Sequence, residues 1–147
     1  MARRFETRIR SPRVVLIDDY AHHPREIEAC LGSVRELYPG RKVTGVFQPH
    51  LFSRTRDLAP EFGRSLAALD ELLLLDIYPA REEPIPGITS AWLLEQVPMD
   101  KKSVVAYGAL VDALASREVD VVVTMGAGDI DRLVPRIERS LNERLKP

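Results

Sequence analysis

Val14-Val15-Leu16-Ile17-Asp18-Asp19-Tyr20-Ala21-His22-His23-Pro24 is the stretch on which the reading of this chain turns. Four apolar residues, three of them β-branched, predict a buried strand. Two carboxylates, a phenol and two imidazoles follow it without a gap. Pro24 ends the extended run and suits the first turn of a helix. Polar groups massed at the carboxyl end of a buried strand occupy the place where open α/β sheets bind ligands. One such residue reads as a helix cap or a solvated loop side chain. Five together read as a site.

Working outward, the same pattern repeats. Arg3 to Ile9 alternates charged and apolar residues, which predicts a strand with one wet face near a sheet edge. Ser11-Pro12 is a turn. Ile27, Leu31, Val34 and Leu37 recur at helical spacing from Pro24 to Tyr38, and Pro39-Gly40 stops that helix. Val43 to Gln48 predicts a third strand that again ends in ligand-type groups, Gln48-Pro49-His50. Ser53 or Thr55 is expected to cap one helix running to about Leu69, with Leu58, Phe62, Leu66 and Leu69 inward. Glu71 to Ile77 predicts a central strand and Tyr78 to Gly87, with three prolines, a loop. A short helix from Thr89 or Ser90 to Val97, a fifth inner strand at Val104 to Tyr107 and a helix at Leu110 to Ser116 follow. A sixth strand at Val119 to Met125 and a last amphipathic helix to near Leu145 complete the alternation.

The expected fold class is therefore α/β: a Rossmann-like three-layer sandwich, a mostly parallel sheet of about six strands with helices on both faces. A chain of 147 residues is one domain by size and long enough for a real core. A net charge of −1 implies no broad field for nucleic acid or an anionic membrane. No apolar run approaches the roughly 20 residues of a membrane span, and no apolar segment of a secretory signal follows Met1-Ala2-Arg3-Arg4. The single cysteine, Cys30, excludes an internal disulfide framework, fits a reducing compartment and reads as helix core.

Gly126-Ala127-Gly128 follows a strand and opens a helix, so its amides are a candidate anion-binding turn; glycine is equally what a tight turn needs. A standalone nucleotide- or anion-binding regulatory module built on that turn is the alternative reading. The chain carries neither a full dinucleotide fingerprint nor a Walker loop. His22, His23 and His50 with Asp18 and Asp19 suggest a metal cluster, but adjacent histidines on extended chain point to opposite faces, and no metal is expected. Imidazoles neutral near pH 7 suit hydrogen bonding to a polar substrate. Arg54 and Arg56 sit where a helix begins, and arginine forks bind carboxylate or phosphate in two-point fashion.

Arg3-Arg4-Phe5, Asp18 to Pro24, Phe47-Gln48-Pro49-His50, Ser53-Arg54-Thr55-Arg56-Asp57, Asp76 to Gly87 and Gly126 to Ile130 together closely resemble the C-terminal domain of the Mur ligase family, in family order over nearly the whole chain. Phe47-Gln48-Pro49-His50 resembles the branch that uses free L-alanine rather than the one that recycles murein tripeptide. The resemblance implies a cytoplasmic, bacterial peptidoglycan-precursor step. ATP, with Mg2+ held by another domain, phosphorylates the carboxylate of UDP-N-acetylmuramate, and L-alanine attacks to form an amide. The partners implied are those substrates and the enzyme's own N-terminal and central domains, which are absent from this chain. The fragment alone is expected to fold but not to ligate. By the resemblance Arg4 would reach the ATP phosphates and Asp19 the nucleotide ribose. Tyr20, His22, His50 and Arg54 would line the L-alanine site. Many members carry arginine after Gln-Pro-His; Leu51 stands there in this chain, which leaves carboxylate binding more dependent on Arg54.

Overall fold

In a computed structural model that describes residues 4–146, six strands form one sheet in the order β1-β2-β6-β3-β4-β5. The strands are β1 (Glu6–Arg10), β2 (Val15–Asp19), β3 (Val43–Phe47), β4 (Glu71–Leu74), β5 (Lys102–Val104) and β6 (Val121–Met125). The helices are α1 (Pro24–Leu37), α2 (Phe52–Asp57), α3 (Ala59–Leu66), α4 (Ser90–Glu95), α5 (Leu110–Ala115) and α6 (Val134–Arg144). β1 pairs antiparallel to β2 and carries a register shift between Thr7 and Ile9; the other four pairings are parallel.

Alternation along the strands builds two cores. Val15, Ile17, Phe47, Leu72, Leu74, Val121 and Val123 pack under α1, α3 and α4. Leu16, Val46, Leu73, Leu75 and Val122 pack under α5 and α6. Both faces of the inner strands are buried, which is why their sequences run apolar without a polar face. This is the three-layer sandwich expected from the sequence. β6 lies between β2 and β3, with Asp19 and Phe47 both level with Met125. Three strand ends therefore meet side by side on one rim.

Four local expectations are corrected. Arg3 lies outside the described residues, and the first strand runs from Glu6 to Arg10. The helix expected from Ser53 or Thr55 to Leu69 is two helices broken at Leu58, because Pro60 has no amide to give to the carbonyl of Arg56 and its ring crowds that turn. Neither Ser53 nor Thr55 caps it: the N-cap residue is Leu51, with no side-chain hydrogen bond, and the Thr55 hydroxyl instead donates to the Leu51 carbonyl at 2.8 Å. The fifth strand is Lys102–Val104, two residues earlier than expected, and lies at the sheet edge rather than inside. Its partly exposed residues show why three apolar side chains at 104–107 misled: Val104 faces solvent.

Candidate functional site at the carboxyl rim of the sheet

β2 delivers Asp18 and Asp19 to opposite faces of the sheet. Asp18 is 2% exposed and accepts a hydrogen bond from the Thr124 hydroxyl at 2.8 Å. Asp19 sits over the α1 face, where its carboxylate accepts the amides of Phe5 (3.1 Å) and Ala21 (2.9 Å). Burial pushes the Asp19 carboxyl above its ordinary value, partly offset by those amides and by the Cys30 thiol. Cys30 is core, as its helical position predicts, and it is also Asp19's neighbour; burial pushes its thiol far up, so it is an inert donor. A cavity of about 350 Å³ opens beside this carboxylate, lined among others by Arg4, Phe5, Asp19, Tyr20 and Cys30.

After Tyr20 the chain turns into α1. His23 is the N-cap: its ring accepts the Arg25 amide at 3.2 Å, while Glu26 reaches back to the amides of His22 (3.1 Å) and His23 (3.0 Å). This reciprocal capping box fixes the loop and so the direction of His22. Burial raises the Glu26 carboxyl, but the two amides and the histidine rings outweigh it and the net displacement is downward. His22 Nδ1 lies 3.0 Å from the Tyr20 carbonyl, an acceptor, so Nδ1 carries a hydrogen and Nε2 is the ring nitrogen left for a ligand. Among the three imidazoles, His23 is therefore structural and His22 is turned to the rim.

His50 follows β3. Its ring stacks on Tyr78 with centroids 5.6 Å apart and 13° between planes, and stands edge-on to His22 at 6.2 Å; Tyr20 meets His22 at 5.2 Å. Tyr20, His22, His50 and Tyr78 thus form a continuous row of rings. Arg54, one turn into α2, places a guanidinium nitrogen 3.5 Å from His50 Nδ1. Burial first, then the charge of Arg54, lowers the His50 pKa, so the ring is neutral near pH 7 and Nδ1 accepts from Arg54. No carboxylate lies within ion-pairing distance of Arg54 among the described residues. Such a cation beside a half-buried aromatic row suits a small anionic or zwitterionic ligand.

Two sequence features prove structural. Gln48, read with His50 as ligand-type, is buried: its amide donates to Asp129 at 2.7 Å and its carbonyl accepts the Ile130 amide at 3.0 Å. The Gly126-Ala127-Gly128 turn is pressed on that side chain. A Cβ on Gly128 would stand 2.6 Å from both Gln48 Oε1 and the Tyr78 ring, and Gly126 has φ +147°. The glycines are required by close approach, the Ile130 amide is already used, and Asp129 and Asp131 open the turn that follows. Conversely, Tyr78 belongs to the site although nothing in its spacing singled it out. Its loop position gave no periodic signal; its place in the row comes from a bridge to His50.

The family described as Mur ligase, glutamate ligase domain, matches residues 3–128. The chain belongs to this family. A UDP-N-acetylmuramate–L-alanine ligase of Flavobacterium johnsoniae is 54% identical over 143 residues, covering 97% of this chain and 32% of the relative. One from Parabacteroides distasonis is 51% identical over 144 residues, covering 98% and 31%. The chain thus spans about a third of the length of the curated relatives it matches. Among solved structures, the UDP-N-acetylmuramate–alanine ligase of Thermotoga maritima superposes with a TM-score of 0.75 at 24% identity, over 97% of this chain and 30% of that one. A separately crystallised domain of a Haemophilus ducreyi Mur-type ligase superposes at 0.68 and 18% identity, over 94% and 99%. The sheet is the scaffold that this chain shares with those structures.

Proposed function

We propose that this chain is the C-terminal domain of an ATP-dependent ligase that joins L-alanine to UDP-N-acetylmuramate. The observation that carries the proposal is the meeting of Asp19, Tyr20, His22, His50 and Arg54 on one rim, in a chain just over half identical to ligases of that name. Arg54 takes the amino acid's carboxylate. His22 and His50, with Tyr20, bound the rest of a small zwitterion, whose apolar area is too slight to supply its affinity. Asp19 keeps lone pairs beyond the two amides it accepts and fits a nucleotide ribose, with Arg4 across the adjoining cavity for phosphate. Among the described residues no group of three His, Cys, Asp or Glu side chains could hold a metal ion. The UDP-sugar and phosphate-loop modules, and the metal, belong to the enzyme's other domains. Among the described residues no helix is long and apolar enough to cross a membrane.

The test is Arg54→Ala in the full-length enzyme. Loss of a charged partner of a desolvated carboxylate costs about 1.5–3 kcal/mol. The KM for L-alanine should rise by about 10- to 150-fold while that for UDP-N-acetylmuramate stays put. Equal weakening of both would refute the assignment. The isolated domain, assayed alone with ATP, should fold and show no ligation.

A further inference from the structure

α2 has six residues and no cap of its own. A helix that short is marginal, and its first amides need acceptors. The residue at its N-cap, Leu51, holds φ +73° and ψ 134°, a backbone region unfavourable to a residue that bears a side chain. Both deficits are met by one loop. At its start, Tyr78 donates its amide to the Pro49 carbonyl and accepts the Leu51 amide, each at 2.8 Å, while its ring stacks on His50. Four residues later the Glu82 carboxylate accepts the Ser53 amide at 3.1 Å and the Ser53 hydroxyl, and lies close enough to the Phe52 amide to be stabilised by it. These donors, the hydroxyl foremost, hold the Glu82 carboxyl below its ordinary range, so it is ionised where a helix N-terminus favours negative charge.

We propose that Glu82 is a positioning residue for the amino-acid site, capping α2 from outside so that Arg54 is held at a fixed distance from His50. The proposal rests on the L-alanine reading above. Tyr78 and Glu82 grip residues 49–53 from both ends. Without Glu82 the first turn of α2 loses its acceptors, the strained Leu51 is no longer over-determined, and the guanidinium must be ordered at each binding event. That cost falls on the carboxylate-bearing substrate and not on the nucleotide sugar.

The experiment is steady-state kinetics on full-length Glu82→Ala, Glu82→Gln, Ser53→Ala and Arg54→Ala, with amide exchange on the first. Glu82→Ala should raise the L-alanine KM about fivefold, the scale of a lost cap, with kcat and the UDP-N-acetylmuramate KM within twofold. The amides of Phe52 and Ser53 should exchange faster while those of α1 do not change. Glu82→Gln, which keeps a carbonyl acceptor, should recover most of the loss. Ser53→Ala, which removes one donor and threatens folding least, should give the same split more weakly. The proposal is overturned if Glu82→Ala leaves the L-alanine KM unchanged, if it weakens both substrates alike, or if Glu82→Gln is as impaired as Glu82→Ala. Should Glu82→Ala not fold, an unaltered L-alanine KM in Ser53→Ala overturns it. If Arg54→Ala shifts the L-alanine KM and Glu82→Ala does not, the cap role is wrong and the site reading stands. If neither shifts it, both fall.

Discussion

The two ends of the sheet are built on different rules. At the amino end cations meet anions or carbonyls. Arg41 pairs with Asp120 at 2.7 Å, Arg35 with Asp70 at 3.1 Å, and Glu71 takes both Lys42 (3.3 Å) and Arg117 (3.1 Å). Arg144 adds a guanidinium that donates to the carbonyls of Leu114, Ala115 and Arg117 at the end of α5. At the carboxyl end Arg54 faces an imidazole, two carboxylates lie half or wholly buried at the end of β2, and a leucine sits at positive φ. A pairing network that closes on itself is scaffold. A guanidinium without a carboxylate partner among the described residues, beside a strained backbone, is the kind of group a ligand can complete.

That contrast can be broken or sharpened in order of effect. Gln48→Ala should cost most, about 2–3 kcal/mol, because it strands the buried Ile130 amide and Asp129 together; chemical denaturation of the domain measures it. Gln48 stands among ligand-type residues yet belongs to the scaffold, so a large stability loss confirms the division and a pure loss of substrate binding breaks it. Glu71→Gln comes next, at about 1 kcal/mol, since a half-buried carboxylate serves two cations. Its effect should shrink in 0.5 M salt and leave both KM values unchanged, whereas a KM shift would show the two ends to be coupled. Thr44→Val should stabilise by about 1 kcal/mol, because the Thr44 hydroxyl is buried in β3 without a partner among the described residues; a Tm below the parent's would show that the hydroxyl is satisfied.

The smallest effect is on pH. The lowered pKa of His50 means that the folded chain takes up that proton less readily than the unfolded chain. Stability from this group is complete above the ordinary value of 6.5 and falls as pH drops through it toward the lower folded value. Denaturation midpoints between pH 7.5 and 5 should therefore fall less steeply in His50→Gln than in the parent; equal slopes would place the titration elsewhere.

The sheet was legible because its buried strands carry their signal locally: Leu16, Val122 and Leu73 are apolar for the same reason that their neighbours are. The gathering of Asp19, His22 and His50 followed from topology, since parallel strands end on one side. What escaped were mainly effects carried by a distant partner. One miss was local, Pro60, which breaks a helix whose apolar spacing continues through it. Glu82 capped a helix 29 residues away, where Ser53 looked sufficient. Gln48 and Gly128 read as chemistry from the sequence, and the packing that also requires them is non-local: a Cβ on Gly128 would meet Gln48 and Tyr78. The edge position of β5 is marked by Lys102 and Ser103, which lie just before the stretch read as a strand.

The order of the strands has a consequence for synthesis. The strand that joins β2 to β3 is the last of the six to be made, and until it emerges the chain is two separate ribbons, each with an open hydrogen-bonding edge. A ribosome-bound intermediate short of residue 125 therefore holds Asp19 and His50 on unconnected pieces and offers two templates for misassociation. Chaperone demand during translation should peak just before that final insertion and vanish after it.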